Sequence, residues 1–119
     1  MKIFETKVTE IGSEAELFKE EKMMILFGEN APNGLAEYCY KIIMNKTISE
    51  IEKGMSLCFD EQLYKITAVG NVVTSNLNEL GHITIKFTGD EIAELPGSLY
   101  VENLPMPLIE CGGLIRILE

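Results

Sequence analysis

Apolar and polar residues alternate along this chain in brief runs, and turn residues interrupt them every ten or so positions. Ile3–Ile11 reads as a first strand with Phe4, Thr6 and Val8 on one face, closed by Gly12. Met23–Phe27 is a wholly apolar run of the kind found in fully buried strands, ended by Gly28. The segment Ala31-Pro32-Asn33-Gly34-Leu35 punctuates next, with room for one helical turn after Pro32. Tyr38–Met44 alternates poorly, yet its aromatic and β-branched content predicts a strand.

The clearest hairpin signal is Met55–Phe59 and Leu63–Val69 around the polar connection Asp60-Glu61-Gln62. After Gly70-Asn71 the period changes. Val72, Val73, Asn76, Leu77 and Leu80 recur at helical spacing, which predicts one short helix stopped by Gly81. His82–Phe87 returns to period two, with Ile83, Ile85 and Phe87 facing one way and His82, Thr84 and Lys86 the other. Pro96-Gly97 turns into Ser98–Glu102, and Pro105, Pro107, Gly112 and Gly113 bracket the approach to Leu114–Leu118. The pattern predicts an all-β chain: a small closed or nearly closed barrel of about seven strands with one short helix. No repeat, linker or low-complexity segment divides it, so residues 1–119 are expected to form a single domain.

Composition narrows the function classes. With 46% hydrophobic residues the chain can bury a core without disulfides or metal. Ten basic residues against 19 acidic give a net charge of −9, which argues against nucleic acid or an anionic membrane as partner. That charge suits solubility, and it equally suits docking against a cationic patch on another protein. Cys39, Cys58 and Cys111 lack ligand spacing and sit among apolar neighbours, so core packing in a reducing compartment is the expectation. The start Met1-Lys2-Ile3-Phe4-Glu5-Thr6 does not read as a signal peptide, and no apolar run approaches a membrane span, so a cytoplasmic location is the expectation.

Most catalytic signatures are absent. There is no phosphate-binding GxxxxGK[ST] loop, no GxGxxG after a strand and no GxSxG elbow. With one histidine in the chain, HExxH and His-rich metal sites cannot be built, and nothing calls for a cofactor or metal. The carboxylate clusters Glu14, Glu16, Glu20, Glu21 and Asp90, Glu91, Glu94 fall in polar connections and read as solvated surface. What remains is His82, the one side chain that ordinarily titrates near neutrality. A neutral imidazole is a nitrogen nucleophile that can hold a phosphoryl group, and such a group needs nearby N–H and hydroxyl donors. Gly81 would allow close backbone approach to it, and Asn76, Asn78 and Thr84 are candidate donors. A lone histidine on a strand's outer face is also what an ordinary surface position looks like. As an acceptor, His82 should be partly accessible, in a shallow depression rimmed by apolar side chains and backbone N–H groups.

A resemblance adds to this. Ile66-Thr67-Ala68-Val69-Gly70-Asn71-Val72, Asn76-Leu77, Leu80-Gly81-His82-Ile83-Thr84 and Phe87 together resemble the glucitol/sorbitol-type enzyme IIA family of the bacterial sugar phosphotransferase system. Met24-Ile25-Leu26-Phe27, followed by Glu29, Ala31, Pro32, Leu35, Glu37, Tyr38 and Cys39, is similar to the family's first half, and Leu95-Pro96-Gly97 to its last third. The resemblance implies a seven-stranded barrel and a histidine that accepts phosphoryl from the phosphocarrier HPr. The group then passes to a IIB partner of the membrane-associated IIB/IIC permease, which phosphorylates the sugar alcohol during uptake. In the family the histidine taken as acceptor follows the Tyr-Cys-aromatic segment. Here Tyr38-Cys39-Tyr40 is followed by Lys41-Ile42-Ile43-Met44-Asn45, and Ile42 stands at the matching place. Two readings follow: His82 is the acceptor with Gly81 and Thr84 lining the phosphate site, or the chain keeps the barrel as an interaction or regulatory protein without phosphotransfer.

Overall fold

A computed structural model describes all 119 residues. Eight strands form: β1 (Lys2–Ile11), β2 (Met23–Phe27), β3 (Tyr40–Ile42), β4 (Ser56–Phe59), β5 (Gln62–Val69), β6 (Ile83–Lys86), β7 (Ser98–Val101) and β8 (Leu114–Leu118). They close into a barrel in the order β1-β3-β2-β6-β7-β5-β4-β8, with β8 pairing back to β1. Closure leaves no sheet edge open to another chain. The apolar runs of the sequence therefore became strands almost one for one, and the barrel holds one strand more than the expected seven or so.

The alternation predicted for the first strand holds, since Phe4, Thr6 and Val8 are all buried. Thr6 is tolerated inside because its hydroxyl donates to the Ile43 carbonyl at 2.6 Å. In β6, Ile83 and Ile85 point into the core, as does Phe87 just beyond it, while His82, Thr84 and Lys86 remain half-exposed. Phe87 meets the rings of Phe59 and Tyr64 at centroid distances of 6.1 and 5.0 Å, so aromatic packing fills this part of the core.

Two local expectations shift slightly. The strand foreseen over Tyr38–Met44 shrinks to Tyr40–Ile42, because the Tyr38 and Cys39 amides bond back to the Leu35 and Ala36 carbonyls. Those carbonyls belong to the turn of helix α1 (Asn33–Ala36), which follows Pro32 as expected. The hairpin connection has two residues instead of three, since Phe59 pairs with Gln62. Asp60 takes φ 53° there, a conformation its short polar side chain tolerates, and its carboxylate accepts the Leu114 amide at 3.0 Å.

Two neighbouring pairs, β2–β3 and β6–β7, run parallel, and all the others run antiparallel. A parallel pair needs a crossover longer than a hairpin. The first crossover, residues 28–39, carries α1; the second, residues 87–97, holds the acidic loop around Asp90 and Glu91. Helix α2 (Val73–Leu80) connects β5 to β6 along the chain and buries Val73, Thr74 and Leu77. No helix is long and apolar enough to cross a membrane.

Candidate functional site

His82 owes its place to the way α2 ends. Gly81 adopts the left-handed conformation, φ 68°, which terminates the helix at little steric cost. Its amide donates to the Leu77 carbonyl at 3.0 Å, and the His82 amide donates to Asn76 at 3.3 Å. The chain then enters β6 directly. Since Ile83 must face the core, the period-two pleat puts His82 on the outer face, where it is half-exposed.

The junction is pressed onto the end of β2. A side-chain carbon at Gly81 would lie 2.7 Å from the Gly28 nitrogen and 2.8 Å from both its α-carbon and the Met44 sulfur. The Gly28 amide donates to the Leu80 carbonyl at 3.0 Å across the same contact. Two glycines thus allow backbone to touch backbone, and this brings the last residues of β2 under the imidazole. The His82 ring stacks on Phe27, with centroids 4.5 Å apart and planes 28° from parallel. Nδ1 lies 3.3 Å from the Leu26 carbonyl oxygen. A carbonyl can only accept, so in the neutral ring this contact favours the tautomer with the proton on Nδ1 and the lone pair on Nε2. Nε2 has no hydrogen-bond partner in the protein.

The expected donors are placed differently from one another. The amides of Gly81, His82 and Thr84 are all spent within the protein, the last on the Gly97 carbonyl at 3.3 Å. They do not rim the imidazole as free N–H groups. Asn78 is held by Thr47, accepting from its amide at 2.8 Å and donating to its hydroxyl at 3.1 Å, so it pins a loop to α2. Thr84 remains. It sits on the same face as His82, two residues on, half-exposed, and its hydroxyl is free of protein partners. The Asn76 side chain also has no protein partner; its amide nitrogen lies 3.7 Å from where a side chain at Gly97 would begin.

Exposed apolar side chains flank the Gly81–His82 junction, Leu80 in sequence and Met44 by its packing against Gly81. Leu80 is 48% exposed and Met44 37%. None of the main surface depressions is lined by His82; they lie elsewhere, among them hollows by Lys22 and Asn103, by Leu63 and Tyr64, and by Tyr40 and Glu16. The surroundings suit a face covered by another protein more than a pocket for a small molecule. Glu29 and Glu79, each beside one of this contact's residues in sequence, are exposed at its margin.

The segment after Tyr38 is built for packing. Ile42 is 0% exposed and belongs to the barrel core. Cys39 is 1% exposed, and its thiol donates to the Leu35 carbonyl at 3.1 Å. Burial pushes that thiol above its ordinary 9.0, against a weaker downward pull from Lys41, so little thiolate exists at neutral pH. Only Cys111 is exposed. A thiol reagent at neutral pH is therefore expected to modify one cysteine of the folded chain rapidly and all three only in denaturant. Mass spectrometry of the native product reads this directly, and rapid native modification of Cys39 would show its burial to be wrong.

Phe27 and the Leu26 carbonyl escaped the sequence reading. The only local sign was an aromatic at the end of an apolar run, which core packing explains as well. Their role depends on the register that sets Leu26 opposite Ile83, and hence Phe27 beside His82.

Comparison with known proteins gives a consistent result. Residues 3–116 match the family model described as PTS system glucitol/sorbitol-specific IIA component. The PTS system glucitol/sorbitol-specific EIIA components of Shigella flexneri and of Escherichia coli K12 are each 37% identical over 105 residues, which is 88% of this chain and 85% of theirs. Among solved structures, the PTS system IIA component from Enterococcus faecalis V583 superposes with a TM-score of 0.87 at 32% identity, covering 98% of this chain and all of that one. The protein with the Gly81–His82 junction and the closed barrel belongs to the glucitol/sorbitol-specific IIA component family of the PTS system.

Proposed function

We propose that this IIA component carries phosphoryl groups on His82. It takes the group from HPr and gives it to a IIB component, which with its IIC partner brings in and phosphorylates a sugar alcohol such as glucitol. The chain acts as a single cytoplasmic domain, with protein partners and no nucleic acid. The observation that carries this reading is the state of the ring. His82 is the chain's sole histidine, one ring nitrogen meets the Leu26 carbonyl, and the other has no protein partner on a half-exposed ring. Thr84 supplies a hydroxyl beside it, and Gly81 sets the backbone that aims it. The net charge of −9 and the exposed Glu29 and Glu79 favour a basic patch on the phosphoryl donor.

One observation favours a second reading. At the place matching the family's acceptor stands Ile42, fully buried and unable to hold phosphate. A barrel that kept its partner surface and lost the chemistry would look like this too. One experiment separates the two. The protein is incubated with phosphoenolpyruvate, enzyme I and HPr, alongside a IIA protein that retains a histidine at the matching place. The carrier reading expects a mass gain of one phosphoryl group that acid removes and base leaves intact, because protonating the ring nitrogen makes it a good leaving group. An unmodified chain beside a labelled relative would establish the interaction-barrel reading instead.

A further inference from the structure

We propose that Phe27 and the main-chain carbonyl of Leu26 are positioning groups for His82, holding the ring in its Nδ1–H form and directing the phosphoryl group to Nε2. The chemical half of this rests on His82 being the acceptor; the ring-geometry half can be measured without it.

A free histidine side chain prefers its proton on Nε2, so a ring that attacks through Nε2 needs something to stabilise the other tautomer. The Leu26 oxygen, 3.3 Å from Nδ1, is such a partner, since it accepts and never donates. A single hydrogen bond leaves the ring free to swing about its Cβ–Cγ bond. Phe27 limits that motion by covering one face of the imidazole at 4.5 Å, and Phe27 is itself fixed, being only 7% exposed. The junction beneath is closely packed, with the Gly28 and Gly81 backbones in contact.

The same two groups suit the phosphorylated state. The Nε2 lone pair forms a bond to phosphorus while the bond from phosphorus to the donor's imidazole nitrogen breaks, and the bonding pair leaves with that nitrogen. Nδ1 keeps its proton throughout, so the His82 ring, now substituted at both nitrogens, carries a positive charge. An aromatic face and a carbonyl oxygen both stabilise a cation in that position. When the group moves on, the N–P electron pair returns to Nε2 and the ring is neutral again.

The test combines long-range proton–nitrogen NMR of His82 with the rate of phosphoryl uptake, in the wild type, Phe27→Leu and Phe27→Tyr. The wild-type ring should carry its proton on Nδ1 when neutral and its phosphoryl group on Nε2. Phe27→Leu should mix the tautomers and slow uptake roughly 3- to 30-fold, a change of tautomer that a loss of packing alone would not predict, and Phe27→Tyr, which keeps the aromatic face, should restore both. A wild-type proton on Nε2, or a Phe27→Leu protein unchanged in tautomer and rate, would overturn the assignment. If Phe27→Leu does not fold, the wild-type tautomer still decides. A ring held as described, and disturbed by Phe27→Leu, in a protein that takes up no phosphoryl group would uphold the positioning and end the carrier reading.

Discussion

Replacing His82 by alanine is expected to abolish phosphoryl uptake completely while leaving the barrel folded. The chain contains no other imidazole, so no second histidine can substitute. The side chain is half-exposed and its ring nitrogens make one protein hydrogen bond, at 3.3 Å. What is lost structurally is mainly the stack on Phe27, worth about 1 kcal/mol for a pair of this kind. Thermal melting should therefore show a modest shift, and intact mass after incubation with the phosphoryl donors should show none of the gain expected for the wild type. Label that persisted in His82→Ala would place the acceptor on another side chain. Cys39 would be a poor substitute, because burial keeps its thiol protonated and the Leu35 carbonyl already takes its hydrogen.

Gly81→Ala should be the most damaging single-methyl change at the site. A non-glycine residue at φ 68° costs about 1–2 kcal/mol by itself. The new carbon would also sit 2.7 Å from the Gly28 nitrogen and 2.8 Å from its α-carbon, and backbone on both sides cannot yield as a flexible side chain would. A total loss of about 3 kcal/mol or more is expected, read as a fall in Tm of roughly 10–20 °C. Because the contact that must open is the one that brings Leu26 and Phe27 under the imidazole, the variant should also lose the Nδ1–H tautomer. Gly97→Ala is the matched control. Its added carbon would meet only the Asn76 amide nitrogen, at an ordinary 3.7 Å, and should change stability by about 0.5 kcal/mol or less. Equal melting of the two alanine variants would show that the Gly28–Gly81 contact is softer than its geometry implies.

The division between what was legible and what was not follows the range of the forces involved. Burial of alternate residues is a local property of a pleated strand, so Phe4, Thr6 and Val8, or Ile83, Ile85 and Phe87, declare their inward face in the sequence itself. The end of α2 is equally local: apolar residues at helical spacing stop at a glycine that alone accepts the left-handed turn. His82 stood out because its pleat position and its uniqueness are both readable from the chain. Pairing is not local. Nothing within β2 or β6 says that Leu26 will face Ile83, because the register is fixed by the packing of the whole barrel. The carbonyl on Nδ1 and the aromatic face beneath the ring both follow from that register, whereas the Gly81 and His82 amides are taken up locally by the end of α2 and the Thr84 amide by the Gly97 carbonyl. The strands, the helix end and the outward-facing histidine were thus legible in the chain, because neighbours along it set them. Which ring nitrogen lacks a protein partner was not, because that depends on residues 55 and 56 positions away, brought together by closure of the barrel.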